Sequence, residues 1–182
     1  MLLAATNTNM KARFEETPLP AGHLAGKRAA AVMFSSFPFD PRPRRAAETL
    51  AEEGASVEVI CLRETDEEPE HEIFNGIEIT RVLLKRRRGG KLSYILQYAY
   101  FGLLCGAILA GRALRKRYDL LHIHNMPDFL VFSALVPKLL GAKVILDLHD
   151  PMPELMMTIF GLGEAGQPVQ ALKIVEKLSI GR

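Results

Sequence analysis

The sequence predicts an α/β domain built on a doubly wound parallel sheet, and three observations carry that expectation. Short apolar runs such as Ala29 to Phe34 and Val57 to Leu62 recur along the chain, and they alternate with helix-length segments. Glycines stop the helical segments, as at Gly54 and Gly141. Several of the apolar runs end in polar, reactive residues: Ser35-Ser36, His122-Ile-His-Asn125 and Asp147-Leu-His-Asp150.

Residues 1–27 are polar, with Pro18, Pro20, Gly22 and Gly26, and read as a loosely ordered leader to a domain of residues 28–182. Met1-Leu-Leu-Ala-Ala lacks the basic stretch of a secretory signal. Ala29 to Phe34 is uniformly apolar, the pattern of a strand covered on both faces, and Ser35-Ser36-Phe37-Pro38 closes it as a loop. Arg42 to Glu53 is a helix with Ala46, Leu50 and Ala51 on one side, and Val57 to Leu62 is the next strand. After an acidic loop over Glu64 to Glu72, Gly76 to Leu84 alternates like a half-buried strand, and a basic loop over 85–91 closes it.

Tyr94 to Gly111 is a long helix with one strongly polar residue, Gln97, and basic residues on both flanks. Its 18 residues stand at the short limit for crossing a bilayer, and Gly102, Gly106 and Gly111 interrupt it. A helix packed on the sheet is expected, with a membrane-surface helix as the second reading. A strand over Asp119 to His124, a helix over Asp128 to Leu140, a strand over Lys143 to Leu148 and a last helix over Val169 to Leu178 complete the pattern. Strands alternating with helices imply parallel pairing through right-handed crossovers.

Of the 182 residues, 48% are hydrophobic and 24% charged, which excludes disorder for the chain as a whole and suits one core. A net charge of +2 is too small to imply a nucleic-acid partner. Cys61 and Cys105 sit among Val, Ile and Leu, as buried free thiols of a reducing compartment would. A cytoplasmic protein is expected, with weak contact to an anionic inner membrane face through the basic flanks of the long helix.

Ligands of a doubly wound sheet bind beyond the carboxyl ends of the strands, where loops diverge and helix N-termini offer free N–H groups. That makes Ser35, Ser36, His122, His124, Asn125, His149 and Asp150 candidate site residues. His122 and His124 share a face, since strand side chains repeat every second residue. Any one of these histidines alone has a structural role as readily as a ligand role; their grouping at strand ends favours a site. His122, His124, His149 and Asp150 also have the ligand types of a zinc or dinuclear hydrolase. Such centres need more carboxylates and more barrel than this chain holds, so no metal is expected. Gly161-Leu-Gly-Glu-Ala-Gly166 has the spacing of a dinucleotide loop, but no clear strand precedes it, and a glycine-rich loop is expected.

Phe37-Pro-Phe-Asp-Pro-Arg42, followed by Leu50-Ala-Glu-Glu-Gly-Ala-Ser-Val-Glu-Val59, resembles the opening of family 4 glycosyltransferases of the GT-B fold, with their L-x-x-x-G-x-x-V-x-V pattern. Tyr118 to His124 and Val144 to Glu154, which includes His-Asp-Pro-Met-Pro-Glu, resemble later strands of that family. The resemblance covers Lys27 to the end. It implies a Rossmann-like N-terminal domain that forms the acceptor side of a cleft, with a donor-binding C-terminal domain outside this chain. It further implies retaining, metal-independent transfer of a sugar from a nucleotide-sugar donor to a glycan or lipid-linked acceptor, with no cofactor. His149, Asp150 and Glu154 would then be catalytic, and Ser35, Ser36, Arg42, His122, His124 and Asn125 would bind substrate. Many relatives carry Gly-Gly in the first loop; Ser35, Ser36 and Asp40 to Arg42 stand there instead. A sugar-nucleotide epimerase of the same fold, a metal hydrolase and a basic membrane-binding module are the alternatives.

Overall fold

A computed structural model describes residues 22–84, 91–124 and 127–148 together with positions 170, 173 and 174; side chains of 91–95 lie outside that description. Six strands, β1 (Arg28–Val32), β2 (Ser56–Arg63), β3 (His71–Phe74), β4 (Ile77–Leu83), β5 (Leu120–His124) and β6 (Lys143–Asp147), form one sheet in the order β3-β4-β2-β1-β5-β6. From β1 the chain builds outward through β2 to β4 and then returns across the sheet to add β5 and β6 on the other side. The order reverses between β1 and β5, which is the switch point where doubly wound sheets open a crevice.

The expectation of an all-parallel sheet needs one correction. β3 pairs antiparallel with β4, and its first two residues, His71 and Glu72, come from the stretch read as an acidic loop. The cause is the turn between the strands. Asn75 and Gly76 have φ of 49° and 75°, the left-handed pair of a type I′ hairpin. Arg81 fastens this edge: its Nη2 donates to Glu72 Oε2 at 2.6 Å and to the Phe37 carbonyl at 3.3 Å, and its Nη1 donates to the Pro69 carbonyl at 3.1 Å.

Helices cover both faces. α1 (Pro41–Glu52) starts where Asp40 Oδ1 accepts from the Arg42 N–H at 3.2 Å, with proline in the first turn. It buries Pro43, Ala47 and Ala51, with Leu50 partly buried against the same core and Ala46 half-exposed, and packs with Met33, Val57, Val59 and Ile79. α2 (Lys91–Arg115) packs on the opposite face, where Phe101, Cys105, Leu109 and Ala113 recur every fourth position against Val32, Ile60, Leu121 and Ile123. The helix runs unbroken through Gly102, Gly106 and Gly111. Gly102 and Gly106 face a neighbouring segment, and a Cβ at Gly106 would meet Ser133 Cα at 3.5 Å, an ordinary contact. Among the described residues no helix is long and apolar enough to cross a membrane.

That neighbour is a 3-10 segment, Asp128–Ala134, which runs into the short α3 (Leu135–Leu139). One α-helix was expected here. Ser133 Oγ instead donates to the Leu130 carbonyl at 2.7 Å, and Pro137 has no N–H to return to the Ser133 carbonyl, so the first turns tighten. Residues from Gly22 onward are tied to the domain, since Leu24 N–H donates to the Glu53 carbonyl at 2.8 Å. The glycine-rich stretch 161–166 lies outside the described residues, as does most of the expected last helix, whose described positions Gln170, Lys173 and Ile174 are helical.

Candidate functional site

β1 and β5 lie side by side, and β6 lies beyond β5 with His122 opposite Ile145 and His124 opposite Asp147. Strand alternation sends Leu121 and Ile123 into the α2 core and turns His122, His124 and Asp147 to the other face. There the three side chains converge. His124 Nδ1 stands 3.2 Å and His122 Nε2 3.8 Å from Asp147 Oδ2, and the two rings are 4.2 Å apart at 40°. His124 is buried, whereas His122 and Asp147 are half-buried. A carboxylate against an imidazole fixes the ring's orientation, which suits the group to directional hydrogen bonding.

One donor atom from each of the three falls within 4.8 Å of the others, a spacing that a metal ion also fits. The sequence marks Asp147 as one of the polar residues at the end of an apolar run but does not pair it with the histidines. This aspartate is the last residue of an apolar strand, and only the β5–β6 register sets it opposite His124.

The first loop sits beside this group, at the end of β1. Its backbone is tied to β2: the Leu62 N–H donates to the Ser35 carbonyl at 3.0 Å. Ser35 Oγ donates to Asp40 Oδ2 at 3.4 Å, so Ser35 is engaged by the residue that caps α1. Ser36 is buried, and Phe37, fully buried, stacks edge-on to Phe74 at 6.0 Å. Arg42 is exposed in the first turn of α1, with Nε 3.9 Å from Asp40 Oδ1. Ser35, Ser36 and Arg42 thus follow the carboxyl end of β1, the strand that pairs with β5. Asn125, His149, Asp150 and Glu154 lie outside the described residues.

A second polar group occupies the opposite, amino end of the strands, and nothing in the sequence reading anticipated it. Glu58 is buried there, and its Oε2 receives Arg28 Nη2 and Arg112 Nη1 at 3.3 Å each, while the Tyr118 hydroxyl donates to Oε1. Burial pushes the Glu58 carboxyl above its ordinary value, against the opposing pull of Arg112 and Arg28. On the surface nearby, Asp119 accepts from the Arg28 N–H at 2.9 Å and from Lys27 at 3.0 Å, which holds its carboxyl below the usual range. Lying away from the switch point, this network holds β1, β2 and α2 together rather than lining the crevice.

Residues 40–178 match the family described as Glycosyl transferase 4-like domain. Among solved structures, sucrose-phosphate synthase from Thermosynechococcus elongatus superposes with a TM-score of 0.56 at 15% identity, covering 86% of this chain and 40% of that one. A structure described as trehalose-6-phosphate from E. coli bound with UDP-2-fluoro glucose gives a TM-score of 0.47 at 15% identity, covering 82% and 38%. The C-terminal domain of PF1911 hydrogenase from Pyrococcus furiosus gives 0.47 at 17%, covering 72% and 98%. The chain thus spans less than half the length of the synthase it superposes on. Among curated proteins none matches.

Proposed function

Because the chain belongs to the glycosyl transferase 4-like family, we propose that it is the acceptor-side half of a cytoplasmic enzyme that moves a sugar from a nucleotide-sugar donor to a glycan or lipid-linked acceptor. Transfer proceeds with retention and without a metal ion, and serves polysaccharide synthesis. A second α/β domain, contributed outside this chain, holds most of the donor, and chemistry occurs where the two halves face each other.

The observation that carries this reading is the grouping of His122, His124 and Asp147 at the switch point. Imidazoles pinned by a carboxylate suit the recognition of sugar hydroxyls, which need fixed donors and acceptors rather than apolar surface. His122, His124 and Asn125 bind the acceptor. Ser35, Ser36 and Arg42 face the donor phosphates, where a guanidinium and helix N–H groups offset the charge that grows on the leaving phosphate. His149 hydrogen-bonds a reacting oxygen, and Asp150 and Glu154 orient it.

The test is transfer by the full reading frame, expressed with whatever follows Arg182, from a panel of labelled nucleotide sugars to extracted glycolipids and glycans. Labelled product retaining the donor's anomeric configuration supports the reading. An epimerised nucleotide sugar with no acceptor product assigns the epimerase instead. The compact His122, His124 and Asp147 group favours one second reading, a metal centre. Stoichiometric zinc in protein purified without chelator, with hydrolysis lost on its removal, replaces the transferase reading.

A further inference from the structure

The side of α2 that faces away from the sheet carries no charge along most of its length. Leu96, Tyr100, Leu103 and Leu114 are exposed there at helical spacing, with exposed Ala107 and Gly111 between them, opposite the buried Phe101, Cys105 and Leu109. Leu103 is 76% and Leu114 72% exposed. The 3-10 segment and α3 share the same face of the sheet, and they add Phe132, Leu135 and Leu139, the last 78% exposed. The outer face of a helix on a soluble protein is ordinarily charged, and a run of large apolar side chains across two neighbouring helices marks a docking surface.

Charge identifies the occupant. From Ile79 to Tyr118 the sequence contains no Asp or Glu. Arg115, Lys116 and Arg117 are exposed at the carboxyl end of α2, and Lys138 is exposed on α3. Asp128 is the one acidic residue of the 3-10 segment and α3, and it is buried. The surface is therefore apolar in its middle and cationic at its edge, where the exposed Glu78 and Asp119 are outnumbered by Arg115, Lys116, Arg117 and Lys138. We propose that the outer face of α2 and α3 is a membrane-docking surface, which sets its apolar side chains at the boundary between headgroups and acyl chains and its cations against anionic headgroups.

Contact of this kind lies in the surface plane, and among the described residues no helix is long and apolar enough to cross. It also places the crevice. Tyr98, near the amino end of α2, stacks on Phe34 just past the end of β1 at 4.5 Å, so the docked helix carries the strand ends alongside the bilayer. A second copy of the chain would set this net cationic edge against its own like charge. The inference deepens the lipid-linked reading of the acceptor, and vesicle binding is scored whether or not sugar transfer is found.

The experiment is flotation of the 182-residue chain with vesicles of phosphatidylcholine alone or with about one third phosphatidylglycerol, at low and high salt. Flotation is expected with anionic vesicles only, weakened but not abolished by salt. Leu103→Glu with Leu139→Glu, both at exposed positions, lowers the bound fraction at least tenfold at an unchanged melting temperature. Arg115→Gln, Lys116→Gln and Arg117→Gln together weaken binding by about fivefold per charge, and remain decisive if the glutamate variant fails to fold. No flotation at low salt overturns the proposal, as does equal flotation with neutral vesicles or binding untouched by either set of variants. A dimer in sedimentation that the glutamate variant dissociates, without flotation, assigns the surface to a second copy and also overturns it.

Discussion

His124 and Glu58 show how a buried polar side chain can serve two different ends. His124 lies against Asp147 at the strand ends that open to ligand, so His124→Ala or Asp147→Asn in the complete enzyme is expected to lower transfer at least about tenfold, roughly 1.4 kcal/mol of barrier. The melting temperature should shift little; a large drop with unchanged activity per folded molecule would make the pair structural. Glu58 lies at the other end, so Tyr118→Phe should do the reverse. It removes a donor from a buried carboxylate, costing about 1–3 kcal/mol of stability in denaturant melts, and leaves transfer intact.

The two shifted carboxyls also set opposite pH slopes. Glu58, raised above 4.5, contributes stability that is fully present below 4.5 and lost as pH rises through its folded value. Asp119, lowered below 3.8, contributes stability present above 3.8 and lost as pH falls through its folded value. Comparison of melting curves for Glu58→Gln and Asp119→Asn with the parent should show the Glu58 difference growing above pH 4.5, and the Asp119 difference present above pH 3.8 and vanishing as pH falls below it.

At the level of the elements, the β3–β4 hairpin shows what a close reading of the sequence could have recovered. Ile73-Phe74-Asn75-Gly76-Ile77 places Asn-Gly between apolar residues, the strongest short-range hairpin signal, yet the charged run Glu64 to Glu72 made the whole segment read as loop. Charge is no bar to an edge strand, where one row of side chains faces water. Gly76→Val is expected to destabilise the protein by about 1–2 kcal/mol, because φ of 75° puts a Cβ too close to the following carbonyl. Faster amide exchange in β3 than in β2 checks that the loss is local. The 3-10 segment was less accessible, since Ser133 and Pro137 change the helix type only through a back-bond and a missing N–H that hydrophobic spacing does not encode.

Across the whole molecule, two layers of helix seal a sheet whose central strands are covered on both sides, and the thiols report on that seal. Cys61 sits in the α1-side core and Cys105 in the α2-side core. Burial pushes Cys61 up to about 11 and Cys105 further still. Neither should react with a thiol reagent at neutral pH in the native state, and both should react once denaturant opens the core. Fast labelling of either without denaturant would mean that its face of the sheet opens. Stability should also fall as pH rises from 9 toward 11, since both thiols ionise in that range only in the unfolded state, and Cys61→Ala should lessen the slope without abolishing it.

The fold class, five of the six described strands with the helices between them, the buried thiols and the polar strand ends were legible, because periodicity and glycine stops are local properties that the chain expresses without knowing its neighbours. Ser35, Ser36, His122 and His124 were singled out for the same reason: each follows or ends an apolar run. Asp147 as the partner of His124, the Glu58 cluster drawn from β1, β2, α2 and Tyr118, and the bare outer face of α2 were decided by the tertiary structure alone. Each depends on which strands lie side by side and which flank of a helix meets the sheet. In a parallel sheet those neighbours are separated by whole crossovers, so the pairing energy that selects them comes from contacts distant in sequence.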